Sequence, residues 1–241
     1  MKNLFCAHRG VSALMPENTL PAFASALALG ADEIEFDVRL TKDNKMIVSH
    51  DDNLERISDG KGKLCESTLD ELLALNIGVH NGWVIPFNTA EEDFEQLANK
   101  LVFNIHVKES GEDGYLIREL TKLIEKYDAV NSCYFAAVPD ELEWMVKVAP
   151  HISRTAIQHP GAPDAIGMAR TYKCDRVQLW RGMFTQGDVD TLLSEGVSCN
   201  IFWGDSAADY TEYFDMGINC ILTNRMDLAA QFKRTNPKYF A

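Results

Sequence analysis

Three groups of side chains capable of joint chemistry stand within the segment Cys6 to Gly62: His8-Arg9-Gly10, the carboxylates Glu35 and Asp37, and His50-Asp51. Their types suit metal-assisted attack on a phosphodiester. Histidine moves protons near neutral pH, so two histidines at one phosphate supply a base for the nucleophile and an acid for the departing alcohol. The planar fork of Arg9 matches two phosphate oxygens. Neighbouring carboxylates in a water-poor site repel each other, and a hard divalent cation offsets that cost. One of the two aspartates that follow His50 would fix its tautomer, and Glu17 would orient Arg9.

The surroundings of these residues set which of them meet. In Glu33-Ile34-Glu35-Phe36-Asp37-Val38 acids and apolar residues alternate strictly, which predicts a strand with one carboxylate face and one packed face. The competing reading is an edge strand whose acids are solvated. Glu33, deeper along the strand, reads as structural. A second alternating segment puts Asn104, His106 and Lys108 on one parity, and Phe103, Ile105 and Val107 on the other. His106 is either a metal ligand or a residue that supports the ligands. Lys108 is either a point charge for phosphate or a salt-bridge partner of Glu35 or Asp37. Pro16-Glu17-Asn18-Thr19 reads as a helix start with Asn18 or Thr19 as the N-cap. Trp203 and Trp180 each follow a predicted strand and either line a substrate groove or pack. His80, His151 and His159 have no partner at ligand spacing, and no P-loop, GxSxG elbow or zinc ribbon is present.

The elements that must carry these residues alternate along the whole chain. Candidate strands cover 4–7, 33–38, 101–107, 132–136, 152–156, 176–179, 197–202 and 220–223, with helices expected over 20–29, 90–99, 114–126, 139–148, 163–171, 185–195 and 207–215. Eight strands with seven helices between them, in a chain near the roughly 250 residues typical of the fold, predict a TIM (β/α)8 barrel. A doubly wound sheet is the alternative, but no GxGxxG follows the first strand. Residues 43–83 break the rhythm with a short strand (46–49), the turn-rich Ser58-Asp59-Gly60-Lys61-Gly62 and one short helix (69–75), and are expected to form a small inserted subdomain after strand two. Residues 1–241 are otherwise expected to form a single domain.

Composition narrows the partners. With 241 residues and 46% hydrophobic content the chain can bury a full core. A formal net charge of -13 argues against nucleic acid and leaves room for a small monoanionic phosphodiester held through a cation. Six cysteines without a CxxC pair are read as reduced thiols. No signal peptide fits before His8 and no apolar run approaches the roughly 20 residues of a membrane span. A cytoplasmic protein without a stable membrane anchor is expected.

Taken together, His8-Arg9-Gly10, Pro16-Glu17-Asn18-Thr19, Gly30-Ala31-Asp32 leading into Glu35-Phe36-Asp37-Val38, Thr41-Lys42-Asp43, His50-Asp51 with Leu54 and Arg56, and Asp59-Gly60-Lys61-Gly62 resemble the glycerophosphodiester phosphodiesterases in order and spacing. Ile85-Pro86, Asn104 to Lys108, and Gly217 to Arg225 resemble later motifs of that family. The resemblance implies a TIM barrel with an insertion after strand two. It also implies hydrolysis of glycerophosphodiesters to sn-glycerol 3-phosphate and an alcohol, with one divalent ion such as Mg or Ca. In that picture His8 and His50 are the acid-base pair, Glu35 and Asp37 bind metal, and Arg9 and Lys108 contact phosphate. The glycerol hydroxyl beside the phosphate is the first nucleophile, giving a cyclic phosphate that water opens.

Two departures stand out. Where many members carry a third metal-binding glutamate, this chain has His106, which removes one negative charge and tilts the expected ion toward Mn or Zn. Ile201-Phe202-Trp203-Gly204 stands where the family places a tryptophan and a small polar run, so Trp203 is the expected substrate-lining aromatic. Two other functions fit less well: a phospholipase-D-like lyase that releases a cyclic phosphate from choline lysolipids, and a barrel without catalysis that binds a metabolite.

Overall fold

The structure, a computed structural model, describes residues 2–240. Its elements run β1 (Leu4–His8), α1 (Leu20–Ala28), β2 (Glu33–Leu40), β3 (Met46–Val48), α2 (Leu69–Leu73), β4 (Asn76–Ile77), β5 (Ile85–Pro86), α3 (Ala90–Leu97), β6 (Val102–Val107), α4 (Tyr115–Lys126), β7 (Cys133–Ala137), α5 (Pro139–Val148), β8 (Arg154–Ile157), α6 (Ala165–Tyr172), β9 (Arg176–Trp180), α7 (Gln186–Ser194), β10 (Ser198–Phe202), α8 (Ala207–Asp215), β11 (Cys220–Thr223) and α9 (Met226–Thr235). Strands β1, β2, β6, β7, β8, β9, β10 and β11 pair in parallel, and β1 pairs with both β2 and β11, so the ring closes. This is the expected eight-stranded TIM barrel, with strand ends displaced by a residue or two.

The alternation in β2 has the predicted consequence. Ile34, Phe36 and Val38 are fully buried toward the helices, where Phe36 meets Phe23 and Phe103 at ring-centroid distances of 5.8 and 5.3 Å. Each such side chain contributes about 1.5–3 kcal/mol by leaving water. The opposite face, Glu33, Glu35 and Asp37, is buried as well, which removes the solvated-edge reading. Hydrogen bonds between strands that are not neighbours show that the polar face lines the lumen: the Tyr134 hydroxyl (β7) donates to Glu33 at 2.6 Å, Asn200 (β10) donates to Tyr134, and Asn104 (β6) donates to Gln178 (β9). Arg176 approaches Glu33 at 3.3 Å, so the deepest carboxylate is charge-paired.

Helix α9 was not among the expected elements. Its buried residues Met226, Ala229, Ala230 and Phe232 fall at helical spacing, and Phe232 joins Phe214 and Phe240 around Phe5 of β1. The segment therefore seals the outside of the first strand.

Between β2 and α3 the chain forms a small separate core from Ile47, Leu54, Ile57, Leu64, Leu72, Ile77 and Phe87. β3 runs antiparallel on β2, with Val38 opposite Val48, and β4 pairs with β5. Thr68 and Glu71 form a capping box on α2. None of the six cysteines forms a disulfide, and among the described residues no helix is long and apolar enough to cross a membrane.

Candidate active site

Strand register decides which side chains meet. His8, the last residue of β1, lies level with Glu35 of β2, and Asp37 lies level with His106 of β6. His8 and His106 stand at the C-terminal ends of β1 and β6, and register brings Glu35 and Asp37 level with them, on the face where barrels carry their chemistry. Past β1 the chain turns through Arg9 (φ 54°) and Gly10 (φ 83°), both left-handed. A Cβ on Gly10 would lie 2.8 Å from the Ala22 backbone, so glycine is required for α1 to approach so closely. Thr19 caps α1, and its side chain accepts from the Ala22 amide.

The carboxylates sit among the basic side chains His106, Lys108 and Arg9. His106 Nδ1 lies 3.1 Å from Asp37 Oδ1 and 3.7 Å from Glu35 Oε1, Lys108 Nζ lies 3.5 Å from Asp37 Oδ1, and Arg9 Nε lies 3.2 Å from Asp37 Oδ2. Burial alone would raise the Asp37 carboxyl, but His106, Arg9 and Lys108 hold it well below the usual carboxylate range. Asn18, in a left-handed conformation, donates to Asp37 Oδ2 at 2.9 Å and accepts from the Asp37 amide. The Arg9 amide donates to Glu35 at 3.1 Å.

His8 is buried against the edge of the Phe202 ring, 4.7 Å between centroids, with Nε2 3.8 Å from Glu35 Oε2 and Nδ1 2.7 Å from Asn224 Oδ1. His50 comes to the same rim because the Ser49 amide donates to the Asp37 carbonyl at 3.0 Å, and Arg39 holds the His50 carbonyl at 2.9 Å. Its Nδ1 lies 2.6 Å from Asp51, which also accepts from Arg56. Arg56 in turn donates to Glu17, and Glu17 accepts from Arg9 at 2.9 Å. Burial first, then the positive charge of Arg9 and Lys108, lowers the His50 imidazole against the opposing pull of Asp37 and Asp51. Burial raises the Asp51 carboxyl, but Arg56 and His50 hold it down to about 2.

A divalent cation fits this arrangement. Glu35, Asp37 and His106 each offer a ligand atom, all within 4.8 Å of one another, and Asp37 Oδ1 is buried without an aligned hydrogen-bond donor. An ionised oxygen held by ion pairs rather than aligned hydrogen bonds, beside two further ligand atoms, matches the need of such an ion.

Trp203 follows β10 and packs on Phe202, which also meets Trp180 at 5.3 Å between centroids. Phe202, which sequence reading did not single out, is thus the aromatic that meets His8. Asn224 and Asp205 were likewise not assigned roles, and only the motif around Asn224 hinted at one. Asn18 reads in sequence only as one of two candidate N-caps, a place that Thr19 takes. His80, His151 and His159 bond the Glu55 carbonyl, Glu125 and the Gly161 amide, away from this group. Beside the β1–α1 loop lies a cavity of about 410 Å³, lined in part by Ser12, Glu17, Arg56 and Trp83.

Residues 8–228 match the glycerophosphoryl diester phosphodiesterase family. A glycerophosphodiester phosphodiesterase of Caldanaerobacter subterraneus subsp. tengcongensis is 35% identical over 187 residues, covering 75% of this chain and 71% of the relative. One from Bacillus subtilis is 26% identical over 256 residues, covering 96% and 86%. Among solved structures, an Oleispira antarctica phosphodiesterase in complex with the product sn-glycerol-3-phosphate superposes with a TM-score of 0.85 at 20% identity, covering 95% of this chain and 97% of that one. A glycerophosphodiester phosphodiesterase from Agrobacterium tumefaciens gives 0.82 at 21% identity, covering 96% and 100%. A match over nearly the whole chain, on the fold and the strand ends described above, makes the protein an enzyme of phosphodiester hydrolysis, and the chain belongs to the glycerophosphoryl diester phosphodiesterase family.

Proposed function

We propose that the enzyme hydrolyses glycerophosphodiesters to sn-glycerol 3-phosphate and an alcohol with one bound divalent cation, using His8 and His50 as its acid-base pair. The observation that carries the reading is the convergence of Glu35, Asp37 and His106 within 4.8 Å, with His8 3.8 Å from Glu35 and His50 fixed at the same rim. The Oleispira antarctica enzyme, similar in fold, was solved with sn-glycerol-3-phosphate.

Glu35, Asp37 and His106 would hold the cation, which when bound withdraws charge from the phosphate and polarises a phosphoryl oxygen. Arg9 and Lys108, both beside Asp37, supply positive charge for the remaining phosphate oxygens. One histidine takes the proton of the attacking hydroxyl, that of the neighbouring glycerol carbon. The other gives a proton to the departing alcohol, and the roles reverse when water opens the cyclic phosphate. The tryptophan pair Trp180 and Trp203 walls the glycerol side with Phe202. The cavity beside the β1–α1 loop takes the alcohol, since Glu17 and Ser12 on its wall touch Arg9 and the His8 carbonyl. An imidazole among the ligands favours Mn or Zn over Ca, relative to an all-carboxylate site, with Mg remaining a candidate. The reading places the enzyme in the cytoplasm, acting on a dissolved small molecule.

Metal-stripped protein, supplied in turn with Mg, Ca, Mn and Zn, is expected to release glycerol phosphate from glycerophosphocholine or glycerophosphoethanolamine. In oxygen-labelled water the label should enter the phosphate product. Lack of release with all four ions would overturn the reading, and an unlabelled cyclic product that persists would make the enzyme a lyase.

A further inference from the structure

The His8 ring has one hydrogen-bond partner that the acid-base reading leaves unused. Its Nδ1 lies 2.7 Å from Asn224 Oδ1, and the two residues are 216 positions apart in sequence, brought together where β11 closes the barrel against β1. The orientation of that amide is fixed from behind. Asp205 accepts from Asn224 Nδ2 at 2.7 Å, from the Asn224 backbone amide at 2.7 Å and from the Thr223 hydroxyl at 3.0 Å. An ionised carboxylate can only accept, so the NH₂ of Asn224 must face Asp205 and its oxygen must face His8. An amide oxygen in turn can only accept, so His8 must carry its proton on Nδ1. The Ser12 hydroxyl, 3.0 Å from the same Asn224 oxygen and 2.8 Å from the His8 carbonyl, closes the arrangement.

We propose that Asn224, locked by Asp205, is a positioning residue that sets the tautomer of His8, leaving Nε2 unprotonated toward Glu35 and the substrate. The proposal rests on the reading of His8 as a proton-transfer group. Its distinguishing feature is that the pattern of donors and acceptors, rather than the bulk of Asn224, carries the effect. Asp205→Asn breaks it: the new amide presents NH₂ to Asn224, whose side chain then turns its own NH₂ toward His8 and calls for an unprotonated Nδ1. Asn224→Asp breaks it differently, by setting two carboxylates against each other. The double variant D205N/N224D restores it with the partners exchanged. The amide introduced at position 205 would donate to the carboxylate introduced at position 224, and that carboxylate would accept from His8.

The test is made on the Mg-loaded enzyme with ¹⁵N-labelled histidine, reading the two ring nitrogens of His8 by long-range proton–nitrogen correlation under conditions where the ring is neutral, alongside steady-state kinetics. The wild type should show the proton on Nδ1. D205N should move it to Nε2 and lower kcat, like the wrong-tautomer state of other histidine bases, by about 10²- to 10⁴-fold, with KM little changed. N224D should lose about tenfold or more in kcat, and the double variant should regain the Nδ1 proton and most of the loss. A wild-type His8 with its proton on Nε2 overturns the proposal without any variant having to fold. So does a folded double variant no better than the worse single one. If instead His8→Ala retains full turnover, the acid-base reading fails, while the tautomer measurement still reports on the relay.

Discussion

At the residue scale, the two histidines differ in what stands behind them. His8 rests on a neutral amide, whereas His50 rests on Asp51 within a chain of charges running through Arg56 and Glu17 to Arg9. The chain couples His50 to Arg9 across two separate segments, the β1–α1 loop and the insertion. Each ring has its Nδ1 engaged, which under the proposed mechanism leaves Nε2 for a reaction that swaps acid and base between its steps. His8→Ala and His50→Ala are each expected to lower kcat by about 10²- to 10⁴-fold. Circular dichroism should stay unchanged, since neither ring is part of the packed layer between sheet and helices. Turnover within a few-fold of wild type in either variant would remove that histidine from the mechanism.

At the element scale, the strictly alternating β2 was readable because a period of two assigns every residue to a face. Its acids could be placed in the lumen from the pattern alone, as could Asn104 and His106 of β6. The short hairpin β4–β5 was not readable, since two residues per strand are too few to show alternation, and Gly78 and Gly82 between them adopt left-handed turns. Helix α9 carried a helical apolar spacing, but its apolar residues are few and small apart from Met226, Leu228 and Phe232. Contacts such as His8 with Asn224 and Arg56 with Glu17 are invisible to local patterns, because only barrel closure and the insertion's return bring them together.

Helix α3 carries a further consequence at this scale. Asp93 is fully buried, accepts only from Asn88, and leaves its second oxygen unpaired. Burial pushes its carboxyl well above the ordinary value. A carboxyl raised in the folded state binds its proton more tightly there than in the unfolded chain. Its penalty is therefore absent below the unfolded value of about 3.9 and grows as pH rises from there, reaching its full size above the folded one. Asp93→Asn is expected to stabilise the protein at neutral pH, with the gain shrinking toward zero near pH 4. Thermal unfolding of both proteins across that range checks it, and a gain that stays constant with pH would assign the effect to something other than ionisation.

At the scale of the whole molecule, a chain with net charge -13 concentrates Arg9, Lys108 and Arg56 around one strand-end cluster. These side chains are already paired with Asp37, Glu17 and Asp51, so a small anion would be attracted to that rim only once a cation is bound, while the overall negative charge disfavours polyanions. The barrel makes this possible by pairing its deepest acid, Glu33, with Arg176 and Tyr134, leaving Glu35 and Asp37 as the carboxylates open to a cation. The claim that joins sequence, register and chemistry is that strands β2 and β6 build one metal centre beside two histidines. A crystal soaked with Mn or Zn, with anomalous scattering to identify the ion, tests it most directly. One peak is predicted, with carboxylate oxygens of Glu35 and Asp37 and Nδ1 of His106 at about 2.0–2.3 Å for zinc or a similar ion. An ion bound away from the Glu35–Asp37 pair, or His106 turned beyond coordination distance, would contradict it.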